Sequence, residues 1–343
     1  MADSSSGETP PRGVVLVTGA AGFIGSHVTS ELLRAGHQVV ALDDLSGGFQ
    51  ANVDERATFV EGSILDVPLI DRLFAQQRFD YVFHLAAYAA EGLSHFIKRF
   101  NYQNNLIGSV NLINAAIRGR VRCFVFTSSI AVYGSARPPV SEEMPLAPED
   151  PYGIAKAAVE QELRISREMF GLRYVVFRPH NVYGERQNIG DRYRNVVGIF
   201  MNQILRDEPL TIFGDGTQTR AFSHVADVAP IISSSILRPE AYDQVFDIGA
   251  DQPYSVSELG DIVSRAMGVP FRPRYEPARA EVRHTFASHE KARRVLGYES
   301  RVPLEEGVRA MAAWVRAVGP RASKGFGPLE IDLNLPPSWQ ASE

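Results

Sequence analysis

Six short, nearly uninterrupted apolar runs punctuate the first half of the chain. They are VVLVTG (14–19), QVVALD (38–43), ATFVEG (57–62), YVFHLAA (81–87), VRCFVFTSS (121–129) and LRYVVFRP (172–179). The stretches between them read as helical. Apolar runs without polar alternation predict strands covered on both faces, hence a parallel sheet between helical layers. A doubly wound sheet of this kind places ligands beyond the carboxyl ends of its strands, so chemistry is expected just after each run. Past Pro179 the rhythm loosens into the irregular segments NVYGERQNIGDRYRN, FGDGTQTRAFSHVADV and YEPARAEVRHTF, with a predicted helix at 196–205. The expected organisation is a disordered tail 1–12, a sheet domain 13–179, a smaller α/β substrate lobe 180–318 and an irregular tail 319–343. Some segments of the lobe are expected to return to the sheet, and the final tail is rich in Pro, Gly and Ser.

Composition narrows the class of function. The 343 residues are 45% hydrophobic and 22% charged with a formal net charge of -5, which gives no footprint for nucleic acid or an anionic membrane. No apolar run approaches the ~20 residues of a membrane span. The opening MADSSSGETPPRG lacks the apolar core of a signal peptide. A single cysteine, Cys123, sits in an apolar run and reads as a buried structural thiol, with no metal site expected. A cytoplasmic enzyme is the expectation.

The first run ends in TGAAGFIG, which sets Gly19, Gly22 and Gly25 at a strand-to-helix turn. Glycines there let the backbone approach a pyrophosphate, whose charge the first amides of the helix hold. Asp43 closes the second run eighteen residues after Gly25. A carboxylate at that place accepts from a ribose diol and repels a 2′-phosphate, which favours NAD over NADP, and Asp44 adds to the charge.

DPYGIAKAAVEQEL carries Tyr152 and Lys156 four residues apart, on one face of a helix that Asp150 can cap and Pro151 can begin. A tyrosine of pKa ~10 is a poor base at neutral pH, but an adjacent ammonium stabilises its phenolate. TSSIAVYG supplies Thr127, Ser128 and Ser129 at the end of the fifth run.

Ordered motifs from Val14 to Tyr298 resemble the extended short-chain dehydrogenase/reductase family, and within it the NAD-dependent nucleotide-sugar epimerase/dehydratase group, nearest to UDP-sugar 4-epimerases. They are TGAAGFIG, HLAA, NNLIGSVNL, TSSIAVYG, YGIAK, RPHNVYG, PLTIFGDGTQTRAFSHVADVA and RAEVRHTFASHEKARRVLGY. The resemblance implies a Rossmann-type sheet holding NAD over 13–179, and a UDP- or TDP-linked sugar in the second lobe. It also implies a homodimer formed through helices around Phe96–Arg118 and Tyr152–Phe170. It assigns Gly19, Gly22, Phe23, Ile24 and Gly25 to the pyrophosphate, and Asp43, Leu45 and Ser46 to the adenosine ribose. Ser63, where relatives carry aspartate, and Ile64 fall at the adenine. Leu85, Ala86, Ala87, Asn105 and Thr127 flank the cofactor groove, while Pro179 and His180 approach the nicotinamide. Asn181, Asn195, Arg220 and Arg279 match positions that hold the nucleotide diphosphate, a task to which forked guanidinium groups are suited.

In such enzymes a tyrosine takes the proton from the sugar 4-hydroxyl as hydride leaves C4. Elimination would then need an acid and a base, and here the residues before VYG are Ile130 and Ala131, which move no proton. Re-reduction of a 4-keto sugar on its other face needs only Tyr152, Lys156 and Ser129, with Ser128 nearby as a second hydroxyl. A 4-epimerase is therefore the expected activity. A ketoreductase with net redox chemistry and a non-catalytic NAD-binding scaffold are the alternatives. Arg186 or Arg192 binding a C6 carboxylate would make the substrate UDP-glucuronate/UDP-galacturonate. If those arginines only face solvent, the substrate is neutral UDP-glucose/UDP-galactose or UDP-N-acetylglucosamine.

Overall fold

A computed structural model describes residues 13–279, 281–322, 329–336 and 339. The expected disordered tail 1–12 lies outside the described residues, as do 323–328, 337–338 and 340–343 of the expected irregular tail.

Seven parallel strands form the central sheet: β1 (Val14–Thr18), β2 (Gln38–Asp43), β3 (Thr58–Glu61), β4 (Tyr81–His84), β5 (Cys123–Thr127), β6 (Tyr174–Pro179) and β7 (Gln244–Ile248). Their order is β7-β6-β5-β4-β1-β2-β3, and every neighbouring pair is parallel. The order reverses between β1 and β4, which opens a crevice at their carboxyl ends. The first six strands coincide with the six apolar runs. The seventh comes from the C-terminal half and pairs with β6, Phe246 opposite Phe177.

Helices α1 (Phe23–Arg34), α2 (Val67–Gln76), α3 (Glu91–Ser94), α4 (Lys98–Tyr102), α5 (Gly108–Arg118) and α6 (Pro151–Phe170) connect these strands. A single π turn, Gln103–Ile107, joins α4 to α5. Val15, Val17, Phe83 and Phe177 pack one face of the sheet, Leu16, Val82, Phe124 and Val176 the other. This two-sided burial is why the strands lack polar alternation.

The remaining helices are α7 (Val196–Leu205), α8 (Val225–Ser234), α9 (Val256–Ala266), α10 (Glu290–Leu296) and α11 (Leu304–Val318). Alongside them run short strand pairs such as Leu210–Phe213 with Pro273–Glu276. Phe200, Leu259, Val263 and Met311 belong to a separate core there.

Helix α6 is fixed at its start and in its middle. Asp150 accepts from the Gly153 amide at 2.9 Å, with Pro151 as the first helical residue. Further along, Glu160 meets Arg178 of β6 at 2.5 Å, with side chains only 5% and 4% exposed. Arg178 also donates to the Tyr133 hydroxyl, which donates to Asp247 of β7 at 2.7 Å. Burial, with Glu142 adding repulsion, pushes the Asp247 carboxyl up to about 8. Removing one member of a buried ion pair strands the other. Glu160→Ala is accordingly expected to lower the unfolding free energy by about 3–5 kcal/mol in urea denaturation. A loss below about 1 kcal/mol would show that the pair does not anchor α6.

Candidate active site

The carboxyl edge of the sheet opens into a cleft of about 1620 Å3. Single-ligand pockets measure ~300–1,000 Å3, so this cleft has room for two ligands side by side. One end is floored by the turn between β1 and α1. Gly19 has φ +70°, and a Cβ on it would fall 2.6 Å from the Ala86 amide nitrogen. A Cβ on Gly25 would fall 2.0 Å from the Gly19 carbonyl oxygen. Glycine is required at both places. Helix α1 starts at Gly22 with no side-chain cap and no acid in its first turn. Its leading amides therefore face the cleft beside Phe23, Ile24 and Gly25, a ready site for a diphosphate.

Asp43 stands at the end of β2 and accepts from the amides of Ala21 at 3.0 Å and Leu45 at 2.8 Å, one on each carboxylate oxygen. Both oxygens retain lone pairs for a ribose diol. Burial raises its pKa and the two amides oppose the shift. Thr127, at the end of β5, keeps a buried hydroxyl with no hydrogen-bond partner facing this cleft. A glycine cradle a Cβ would fill, uncapped amides, a half-used carboxylate and an orphaned hydroxyl together fit a dinucleotide.

Tyr152 and Lys156, one turn apart on α6, line the middle of the cleft and are 5% and 2% exposed. The Lys156 ammonium donates to the Thr127 carbonyl at 2.8 Å and lies 4.6 Å from the Phe126 ring centroid and 5.7 Å from that of Tyr152. Burial pushes the lysine down to about 7, with Glu160 pulling upward. Burial pushes the tyrosine above its ordinary value, Glu91 adds to the rise, and a hydrogen bond from Ser129 opposes it. Ser129 also accepts from the Ala131 amide at 3.1 Å, which starts the 3-10 turn Ile130–Tyr133 and fixes the hydroxyl beside Tyr152.

At the other end Asn181, Asn195, Arg220 and Arg279 line the cleft. Arg220 donates to the carbonyls of Thr219 and Arg283, each at 2.9 Å, and to that of Val282. Arg279 pairs with Glu281 at 2.9 Å and lies 4.5 Å from the Phe213 ring centroid. Trp339 also lines this end and packs with Ala90, Leu93 and Ile97.

The sequence matches the profile of the NAD dependent epimerase/dehydratase family over residues 15–249. The UDP-glucose 4-epimerase of Mycolicibacterium smegmatis is 36% identical over 312 residues, covering 88% of this chain and 98% of the relative. The crystal structure of the Thermotoga maritima UDP-glucose 4-epimerase with UDP-glucose superposes with a TM-score of 0.85 at 36% identity, covering 89% of this chain and 99% of that one. The Bacillus cereus UDP-glucuronic acid 4-epimerase, in complex with UDP-glucuronic acid and NAD, gives 0.81 at 28% identity, covering 89% and 99%. The chain belongs to the NAD dependent epimerase/dehydratase family.

In this family member several expected site residues stand elsewhere than the sequence suggested. Ser128 lines the cleft beside Ser129, but its hydroxyl proton is given to Glu160 at 2.5 Å, which braces α6. Arg186 lines the cleft and also reaches back to α1, where one guanidinium nitrogen donates to the Ser26 carbonyl and the Ser30 hydroxyl at 3.1 Å each. Arg192 lines the cleft with its guanidinium 5.6 Å from the Tyr193 ring centroid.

His180 borders a small side recess rather than the main cleft, and both of its ring nitrogens are committed to protein partners. The Ala221 carbonyl, 3.1 Å from Nδ1, can only accept, so Nε2 is bare and takes a proton from His289 at 3.0 Å. His289 in turn donates from Nδ1 to Asp251 at 2.8 Å. That hydrogen bond holds the Asp251 carboxyl down at about 2.

Asn105, Leu45 and Ser63 are absent from the cleft lining. Asn105 acts from behind, accepting from the Tyr88 amide at 2.8 Å and donating to the Tyr88 carbonyl at 3.1 Å, which fixes the loop after β4. Leu45 gives its amide to Asp43, and the Ser63 hydroxyl accepts from the Leu65 amide at 3.2 Å. Asp44, Ser46, Ile64, Leu85, Ala86, Ala87 and Pro179 do line the cleft.

Sequence reasoning missed Glu91, which projects into the cleft from the segment directly after β4. An acid just beyond a cofactor-lining strand was the available signal. Tyr152→Phe is expected to cut turnover of UDP-glucose, the sugar named for its relatives, by about 10^2–10^4-fold. Activity within about threefold of the unaltered protein would place the base elsewhere.

Proposed function

We propose that the protein is an NAD-dependent UDP-sugar 4-epimerase whose substrate pair is UDP-glucose and UDP-galactose. One observation carries the reaction type: Tyr152, Lys156 and Ser129 converge where the cleft meets the glycine turn, and the adjoining turn Ile130–Tyr133 offers only apolar side chains and a tyrosine whose hydroxyl is spent on Arg178 and Asp247. Tyr152, as a phenolate that Lys156 holds by charge, removes the proton of the sugar 4-hydroxyl and becomes the neutral phenol. Ser129 bonds the 4-oxygen and keeps it in place as the carbon changes geometry. NAD held at Gly19, Gly22, Gly25 and Asp43 would supply the hydride acceptor for C4 and the donor for its return. Tyr152 then returns the proton to the oxygen, so no redox partner is consumed.

Arg220 and Arg279 supply the charge for the diphosphate, and Asn181 and Asn195 its neutral hydrogen bonds. The 36% identity to UDP-glucose 4-epimerases supports a neutral hexose over a hexuronate.

A homodimer is part of the same reading. Ile154, Ile165 and Met169 lie exposed along one stripe of α6, and Ile107 is exposed on the adjoining π turn. Residues spaced four and eleven apart on a helix share a face, so a second copy of that face would cover this one. Cytoplasmic residence also belongs to the proposal. Among the described residues no helix is long and apolar enough to cross a membrane.

Incubation with UDP-glucose, UDP-galactose, UDP-N-acetylglucosamine and UDP-glucuronate, read by proton NMR, tests the reaction. The expected product is the C4 epimer of UDP-glucose with no net NADH. A C6-deoxy or 4-keto product at equilibrium would overturn it. Light scattering tests the assembly, with a mass near twice 37.8 kDa expected and a monomer refuting it.

A further inference from the structure

Beside Tyr152 the cleft leads into a side recess of about 60 Å3, bordered by Glu91, Ser129, Ile130, Ala131, Asn181 and Arg220 among others. Ser129 belongs to both spaces and hydrogen-bonds Tyr152. A pyranose with its 4-oxygen on Tyr152 and Ser129 therefore presents its neighbouring substituents to the recess. The recess holds a hydroxymethyl-sized group by volume, and a carboxylate is only slightly larger. Size does not choose between a hexose and a hexuronate there. Charge does.

Glu91 supplies that charge. It opens the short helix α3, and its position is fixed by a latch: the Ser94 hydroxyl donates to the Glu91 carbonyl at 2.6 Å and lies 3.4 Å from Asp150, the cap of the helix that carries Tyr152. Among the described residues no side chain hydrogen-bonds or ion-pairs with the Glu91 carboxylate. It is open to the cleft yet surrounded by protein at depth. Burial and then Asp150 push its pKa up to about 7, while Arg220 pulls the other way. A carboxylate open to the cleft and without a protein partner is free to accept hydrogen bonds from a bound ligand.

We infer that Glu91 selects the sugar: it accepts hydrogen bonds from the hydroxyls of a neutral hexose and turns away a hexuronate by like-charge repulsion. The inference rests on the 4-epimerase reading and adds the residue that sets its substrate. The nearby arginines are engaged with protein groups: Arg279 is paired with Glu281, Arg194 with Asp191 at 2.6 Å, Arg186 is tied to α1, Arg192 lies over the Tyr193 ring, and Arg220, though it pulls on Glu91, donates to three backbone carbonyls. Specificity then comes from an element built against the wrong ligand as well as from contacts to the right one.

Binding tests this without requiring turnover. Calorimetric titration of UDP-glucose and UDP-glucuronate into the NAD-loaded Tyr152→Phe protein, about one pH unit above the Glu91 value, keeps most of the carboxylate ionised. The expected preference for UDP-glucose is about tenfold or more. Adding Glu91→Gln, which keeps shape and removes charge, is expected to tighten UDP-glucuronate by about tenfold and to change UDP-glucose by less than about threefold. Glu91→Asp, which keeps the charge, is expected to keep the preference, and it serves as the folding control. Equal binding of the two sugars before the substitution, or an unchanged ratio after Glu91→Gln, would overturn the inference. Failure of the 4-epimerase reading would show differently, as absent epimer in the NMR assay with sugar selectivity intact.

Discussion

A lysine ammonium and a tyrosine hydroxyl share one desolvated corner between β5 and α6, and burial resists charge on each of them. Lys156 is driven down toward neutrality, and Tyr152 is driven further from ionisation. The charge state that relieves both is a phenolate beside an ammonium, because each then supplies the counter-ion that water no longer provides. In the proposed reaction that pairing is what lets a tyrosine act as a base, and much of the surrounding architecture keeps the two groups in place. The Thr127 carbonyl anchors the ammonium, Ser129 touches the phenol, and Asp150 fixes the start of the helix that carries both.

Behind that pair runs a buried chain of charge. Ser128 and Arg178 both bond Glu160, and Arg178 continues to Tyr133 and Asp247. The chain links α6 to β5, β6 and β7, so the C-terminal strand helps to position the catalytic helix. An unpaired member would leave a buried charge, which makes the arrangement all-or-none rather than gradual. Ser128, next to Ser129 in sequence, is part of this chain through its bond to Glu160.

What the sequence made legible was local. The glycine turn, Asp43 at the end of β2 and the Tyr152–Lys156 spacing each depend on a few neighbouring residues and on the geometry of one turn. Features that need distant partners were not legible. Arg186 follows a motif that suggests the substrate, yet it is held by Ser26 and Ser30, some 156 to 160 positions earlier. His180 is spent on Ala221 and on His289, 109 positions later, and no local pattern announces that contact. Strand β7 sits in a segment of mixed character, and only its pairing with β6 shows it to be part of the sheet. Glu91 was visible as a letter but not as a group in the cleft, because its direction depends on the Ser94–Asp150 latch.

The two ends of the cleft divide the work by charge. In the proposed reading uncapped amides and Asp43 serve one ligand, arginines and asparagines the other, and the reacting groups lie between them. Reversible oxidation at C4 within one closed site is the central claim, and isotope retention tests it most directly. UDP-glucose carrying deuterium at C4 is incubated with the protein and the equilibrium mixture is read by NMR. The account predicts deuterium kept at C4 in both epimers, with none lost to solvent and no free NADH. Washout of the label, or NADH accumulating in step with oxidised sugar, would contradict it.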